Sequence, residues 1–200
     1  MLLKAQNISF HYGKETLMKN INFTLEQGEI VGLVGPSGCG KTTFCKILSG
    51  YTSPHTGTVT INDLSIPKKQ YNPVQLIFQH PEKAVNPRWK MKKILNEGYE
   101  PDRELLEVLG IQQEWLTRWP NELSGGELQR FCVARALGPN TKFLIADEMT
   151  TMLDAITQAQ IWNAVLEIAK KRKMGVLIVS HEPKLIERLC NRIIHFETNR

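Results

Sequence analysis

The stretch GPSGCGKTT, Gly35 to Thr43, constrains the fold of this chain more than any other. Ahead of it runs EIVGLV, a continuous apolar segment suited to a buried strand, and behind it KTTFCKILSG reads as a short helix. Strand, tight loop and helix start therefore follow one another directly. Glycines at 35, 38 and 40 leave the loop backbone bare, so successive amides can converge on an anion at the positive end of the helix dipole. The spacing matches G-x-x-x-x-G-K-[ST] in full. On that pattern the N–H groups from Gly38 to Thr43 wrap a β-phosphate, Lys41 reaches the β- and γ-phosphates, and the Thr42 hydroxyl ligates Mg²⁺. A glycine-rich turn that holds nothing is the competing account, and the strand-to-helix context argues against it.

The chain has 200 residues, the natural size of one α/β domain with room for a modest helical insertion. A net charge of +5 on 25 basic and 20 acidic residues is too slight an excess to point to nucleic acid, and none is expected as a partner. Basic residues gather at KKQ (68 to 70), RWKMKK (88 to 93) and KKRK (170 to 173). The last closes a predicted helix, where cations favour the negative end of the dipole, and is expected to be a solvated helix end. The opening MLLKAQNISFHY is too short and too interrupted for a signal peptide, and no run approaches the ~18 apolar residues of a membrane span. A membrane role is therefore expected only through a partner. Cys39, Cys45, Cys132 and Cys190 show neither CxxC pairing nor metal-ligand spacing, which fits reduced thiols in a cytoplasmic protein. Cys39 lies inside the phosphate loop, where oxidation would block nucleotide binding; a small residue that simply fits is the plainer account.

Short β-like pieces open the chain: ISFHY, INFTL, EIVGLV and TVTIN, separated by glycine-bearing turns at YGKE, EQGE and HTG. After the apolar strand PVQLIFQ, the segment HPEKAVNPRW carries prolines 81 and 87 and reads as loop. Helix-like pieces follow, among them PDRELLEVLG with proline near its start and glycine just past its end. Residues 80 to 138 are thus expected to form a helical insertion. From Ser124 the order is helix SGGELQRFCVARALG, strand KFLIAD, helix ITQAQIWNAVLEIAKK, strand GVLIVS, helix EPKLIERLC and strand RIIHF. The long helix places Ile161, Ala164, Val165, Ile168 and Ala169 on one face, for packing on a sheet. Alternating units of this kind imply parallel strands with helical crossovers, in a single domain spanning 1 to 200.

In an open parallel sheet, ligands bind beyond the carboxyl ends of the strands. KFLIADE leaves Asp147 and Glu148 at one such end, GVLIVSH leaves His181 at another, and VQLIFQ leaves Gln79 at a third. Beside a triphosphate the two carboxylates divide the work: Asp147 holds Mg²⁺, directly or through water, and Glu148 polarises the attacking water. Each residue alone also reads as a helix cap, a surface histidine or a strand-end hydrogen bonder. All of them at strand ends beside a phosphate loop make coincidence a poor account.

ELSGGELQR adds a second anion-binding helix start. Ser124 with Glu127 is an SxxE capping box, yet Gly125 and Gly126 weaken a first helical turn, each by about 0.5–1 kcal/mol relative to alanine. They make sense if a phosphate approaches the backbone there. Only one of the two helix starts carries a lysine, so the other is expected to meet nucleotide held by a different subunit.

With these motifs in this order, nearly the whole chain resembles the nucleotide-binding domain of ATP-binding cassette (ABC) transporters. The resemblance implies a P-loop NTPase of the α/β class, with a mainly parallel sheet core, an antiparallel β subdomain and a helical insertion. It implies that Tyr12, ahead of Gly13, stacks on adenine, and that Gly35, Pro36, Ser37, Gly38, Cys39, Gly40, Lys41, Thr42 and Thr43 are the Walker A loop. Gln79 would be the Q-loop residue near Mg²⁺ and the membrane partner, LSGGE (123 to 127) the family signature, and FLIADE the Walker B strand with catalytic Glu148. Asp154 of TMLD would be the D-loop aspartate and His181 the switch histidine that contacts the γ-phosphate. In this family two domains pair head to tail, as homo- or heterodimers, so Ser124, Gly125 and Gly126 would meet ATP on the facing subunit. The expected cofactors are ATP and Mg²⁺, and the expected place is the cytoplasmic face of the cell membrane, bound peripherally to separate permease subunits whose short helix docks beside Gln79 and NPRWKMKK.

AVNPR (84 to 88) and LDAITQAQI (153 to 161) resemble the branch that imports peptides, nickel or metal chelates, which implies an extracellular solute-binding protein in the same system. Two departures stand out: Met149 and Met152 replace the family's more usual proline and small residue, and little follows IIHF where many peptide importers carry a cysteine-rich extension. Translation-type cassette ATPases usually hold two cassettes per chain, and repair-type ones carry a coiled coil or zinc module between the two motifs; the interval here has neither heptads nor paired cysteines. A small-molecule kinase with a phosphate loop would leave LSGGE and His181 without a role. Exporters usually fuse membrane spans to the cassette, and their absence from this sequence favours import.

Overall fold

The computed structural model describes residues 1–67 and 70–196. The basic pair Lys68–Lys69, part of the KKQ cluster, lies outside the described residues. Two sheets organise the fold. An antiparallel sheet is formed by β1 (Leu2–Tyr12), β2 (Glu15–Glu26), β4 (Thr56–Ile61) and β5 (Leu64–Ser65), in the order β2-β1-β4-β5. A wholly parallel sheet is formed by β3 (Ile30–Val34), β6 (Val74–Ile77), β7 (Phe143–Asp147), β8 (Gly175–Val179) and β9 (Arg192–His195), in the order β6-β7-β8-β3-β9.

The parallel strands read as unbroken apolar runs because both of their faces are buried. Along β7, Leu144 and Ala146 face a core shared with helices α4 (Gly125–Ala136) and α5 (Ala155–Arg172). Phe143 and Ile145 face the opposite core, shared with α1 (Lys41–Leu48) and the antiparallel sheet. The same two-residue alternation splits Val176 and Ile178 from Leu177 and Val179 on β8. The expected face of α5, Ile161, Ala164, Val165, Ile168 and Ala169, is buried throughout, and Trp162 joins it with its indole N–H donating to Thr150 Oγ1 at 3.1 Å.

The region from 80 to 138 is built of short pieces: α2 (Met91–Leu95), α3 (Arg103–Val108), 3-10 turns at Pro81–Lys83, Gln113–Thr117 and Pro120–Glu122, and then α4. Asp102 caps α3 by accepting from the Leu105 amide at 2.8 Å, and Gly110 past its end takes φ +65°. The last helix is α6 (Pro183–Leu189).

Two expectations need correction, and a third has one exception. HTG is no turn: Gly57 lies within β4 at φ +89°, where the β1–β4 register slips between Gln6 and Ser9 and a Cβ would collide with the β1 backbone. The strand expected over residues 73 to 79 ends at Ile77, which frees Phe78 and Gln79 from the ladder. KKRK closes α5 with its lysines exposed, as expected, and Lys171 pairs with Glu104 at 2.7 Å on the surface; the exception is Arg172, whose guanidinium donates to the carbonyl of Leu137 at 2.6 Å, capping the exit of α4. Sequence periodicity marked the helix end, and tertiary contact set what its cations do.

Because side chains 144 and 145 enter separate cores, their truncations should act independently. Leu144→Ala is expected to cost about 2–5 kcal/mol and Ile145→Val about 0.5–1.5 kcal/mol. Denaturant unfolding of the double variant should give the sum within about 0.5 kcal/mol; a larger coupling would mean that the two cores are not separate.

Candidate functional site: a phosphate loop ringed by strand ends

The order β6-β7-β8-β3 brings four adjacent carboxyl ends together, and each delivers one piece of the site. β3 runs into the loop of Gly35 to Gly40 and then α1. β7 ends in Asp147 and is followed by Glu148, β8 is followed by Ser180 and His181, and β6 by Phe78 and Gln79. Tyr12, Ser37, Gly38, Gly40, Lys41, Thr42, Thr43, Gln79, Glu148 and His181 line one open cleft of about 430 Å³. Most of the residues singled out in the sequence thus share a single concave surface.

The loop is built for backbone exposure. Gly38 and Gly40 take φ of +76° and +101°, values that side-chain-bearing residues rarely adopt. Gly40 is the N-cap of α1 and supplies no side-chain acceptor, so the first amides of the helix stay available to an anion. Lys41 is buried, and its ammonium donates to the carbonyls of Gly35 and Pro36 at 2.8 and 2.9 Å, with Cys39 Sγ at 3.9 Å. The lysine thus fastens the loop on itself. Cys39 is buried against Gly35, where its Sγ stands 3.1 Å from the place a Cβ would take.

Asp147 is 3% exposed, and its Oδ1 has no hydrogen-bond partner in the protein. Burial pushes its carboxyl up from the usual range; the Thr42 hydroxyl pulls the other way, Glu148 adds to the rise, and Lys41 opposes it. An orphaned carboxylate oxygen beside a threonine hydroxyl is a hard-oxygen donor set of the kind that suits Mg²⁺. Glu148 has a backbone φ of +51°, uncommon for a residue with a side chain, and its amide donates to the carbonyl of Val179 at 3.0 Å. Its Oε1 lies 2.7 Å from His181 Nε2. The two residues come from neighbouring strands and meet at the lip of the cleft.

Tyr12 is 61% exposed at the end of β1, its hydroxyl 3.4 Å from Thr43 Oγ1 and its ring in edge contact with Phe10 at 5.0 Å. Sequence reasoning missed Leu17, which lines the same cleft and packs over Gly40 at about 3.0 Å from its Cβ position. Its signal was weak: one apolar side chain on the outward face of an alternating strand.

The signature residues do not line this cleft. Ser124 is the N-cap of α4, with the reciprocal bonds of a capping box: the Glu127 amide donates to Ser124 Oγ at 3.3 Å, and the Ser124 amide to Glu127 Oε2 at 2.8 Å. A Cβ on Gly125 would meet open space, whereas one on Gly126 would press to 3.0 Å from Thr157. Asp154 caps α5 by accepting from the Thr157 hydroxyl and from the amides of Thr157 and Ile156; the Thr157 hydroxyl foremost, then these amides, hold its carboxylate below the usual range. Met149 is buried, while Met152 and Ile156 are exposed nearby.

The sequence profile described as ABC transporter matches residues 18–151. The putative oligopeptide transport ATP-binding protein YkfD of Bacillus subtilis (strain 168) is 32% identical over 96% of this chain, which spans 66% of that protein's length. The nickel import ATP-binding protein NikE of Shigella boydii serotype 4 (strain Sb227) is 33% identical over 96% of this chain and 82% of its own length. A solved ATP-binding cassette, in a dimeric post-hydrolysis state bound to ADP and Pi, superposes with a TM-score of 0.83 at 26% identity, covering 99% of this chain and 97% of its own. The chain belongs to the ABC transporter family, as an ATP-binding cassette.

Proposed function

We infer that this chain is the ATP-hydrolysing subunit of an ABC importer for a small solute, and that one observation carries the reading: four adjacent strand ends bring the phosphate loop, Asp147, Glu148, His181 and Gln79 to a single site. The amides from Gly38 to Thr43 hold the β-phosphate, and Lys41 exchanges loop carbonyls for β- and γ-phosphate oxygens. Tyr12 stacks on adenine. The Thr42 hydroxyl, Asp147 and Gln79 are the residues that would hold Mg²⁺, which, when bound, neutralises charge on the β- and γ-oxygens. Glu148 accepts the proton of the attacking water, and His181 steers its carboxylate and meets the γ-phosphate.

The second helix start serves a facing cassette. The exposed amide end of α4 at Ser124, Gly125 and Gly126 is outside the cleft of its own chain, and Gly125 opens to solvent, so it is free to cover the γ-phosphate held by a partner. Asp154, Met152 and Ile156 border that same face. ATP bound between two head-to-tail cassettes stabilises their pairing, and hydrolysis removes the shared contact, so the cycle drives motion in attached permeases. No helix among the described residues is long and apolar enough to cross a membrane. The docking groove for the permeases is the hollow of about 500 Å³ that reaches Phe78, the neighbour of Gln79, and is bordered by Tyr51, Lys83, Ala84 and Arg135. In the basic segment RWKMKK, Lys93 lies 4.0 Å over the Trp89 ring. The relatives named for oligopeptide transport and nickel import favour a peptide or nickel cargo. In this reading a metal chelate is the related alternative, an extracellular binding protein delivers the cargo, and the cassette sits on the cytoplasmic face.

Three measurements test this reading. Glu148→Gln should bind ATP within about twofold of the parent while turnover falls roughly 10²- to 10⁴-fold; unchanged hydrolysis would overturn the role given to Glu148. Gly125→Arg should leave ATP binding by the isolated chain intact and abolish hydrolysis in the assembled complex with its permeases; full activity there would remove the shared-site arrangement. The folded-state rise at Asp147 means that its charge opposes folding: this group's contribution favours the fold at acidic pH and is lost as pH rises through the folded-state value. Asp147→Asn should therefore raise the melting temperature of the nucleotide-free protein, on the order of 2–4 °C for each kcal/mol relieved, while Mg²⁺-dependent hydrolysis is lost. A lowered melting temperature would contradict the charge argument.

A further inference from the structure

We propose that His11 and His55 form a brace that positions the adenine-stacking ring of Tyr12, so that both are positioning residues for recognition of the nucleotide base. The inference rests on the reading of the cleft as an ATP site and adds a role for two histidines that no part of that reading uses. Tyr12 stands at the tip of the β1–β2 hairpin, mostly exposed, next to the turn glycine Gly13 at φ +57°. Its own holds are one long hydroxyl contact to Thr43 at 3.4 Å and the edge of Phe10, and ordering an exposed ring further on binding costs affinity.

The loop that enters β4 supplies the fixing. The His55 amide donates to the carbonyl of Ser9 at 3.0 Å, which draws this loop onto β1 just where its pairing with β4 stops. The His55 ring stacks on His11, with centroids 3.6 Å apart and planes 25° apart, and its other neighbour is Phe10 at 4.9 Å. The His11 amide donates to His55 Nδ1 at 3.4 Å. His11 Nδ1 in turn lies 2.9 Å from the carbonyl of Gly13, its N–H spanning the turn that carries Tyr12. Phe10 meets both His55 and the edge of Tyr12. Two routes thus run from His55 to Tyr12, one through hydrogen bonds to the turn and one through ring contacts.

The bonds assign protons: His55 must present a bare Nδ1, and His11 must carry its proton on Nδ1 to donate to the carbonyl. An asparagine at 55 keeps an acceptor oxygen in about the place of Nδ1, and a leucine keeps bulk without one. Neither histidine lines the cleft, and Tyr12 touches the phosphate-loop segment only through its 3.4 Å hydroxyl contact to Thr43, so the brace acts chiefly on the base.

The test compares ATP with inorganic tripolyphosphate, which has no base, as competitors for a fluorescent nucleotide on the full chain. His55→Leu should weaken ATP about two- to tenfold, the range expected for freeing one ordered side chain, and leave tripolyphosphate unchanged. His55→Asn should regain most of the ATP affinity. Equal weakening of both competitors, no weakening of ATP, or an asparagine variant no better than the leucine one would each overturn the brace. Tyr12→Ala, run alongside, separates the two levels: if it weakens ATP while His55→Leu does not, the brace fails and the adenine site stands. If Tyr12→Ala has no effect on ATP, the adenine site falls and the brace with it.

Discussion

A sheet of parallel strands that is apolar on both faces must be covered twice, and everything else in this molecule follows from that demand. Helices α4 and α5 cover one face, and α1 with the antiparallel sheet covers the other. Backbone and side chains along β3, β7 and β8 are sealed in, so charge can appear only where strands leave the sheet. The right ends come together because β8 lies between β7 and β3, not because their residues are close in sequence. Asp147 and His181 are separated in the chain by α5 and β8, yet the strands they follow or end, β7 and β8, are neighbours in the sheet.

Much of this was readable from the residues. The continuous apolar runs announced strands buried on both faces, the α5 periodicity named its buried side before any packing was known, and the strand-end positions of Gln79, Asp147, Glu148 and His181 grouped the site. What stayed hidden depends on contacts between distant segments. Nothing local to HTG says that Gly57 fits a slip in the β1–β4 register, and nothing local to KKRK says that Arg172 reaches the carbonyls at the end of α4. Leu17 and the His11–His55 stack escaped for the same reason: a single leucine or histidine on a strand or in a loop acquires meaning only from what folds against it.

The signature segment carries two demands at once. Ser124 and Glu127 satisfy each other across the first turn of α4, which makes the helix start stable without any ligand. Gly126 packs closely against Thr157 of α5, where a Cβ would press on its methyl, so it links the signature to the helix that Asp154 caps. Gly125 alone has no packing reason. In the proposed shared site this divides the pair into one glycine that holds the two helices together and one that leaves the backbone open to a neighbour's phosphate. Lys41 shows a similar economy, since the ammonium proposed for the triphosphate also closes the loop by its bonds to Gly35 and Pro36.

The left-handed backbone at Glu148 has a consequence for lineages. Holding a glutamate at φ +51° costs about 1–3 kcal/mol that a glycine would not incur and an asparagine would incur less of. Descendants released from the need to split nucleotide would gain stability by drifting to one of those two residues. Under the role proposed for Glu148, a glycine or asparagine at this position in a related sequence would mark a cassette that has given up hydrolysis.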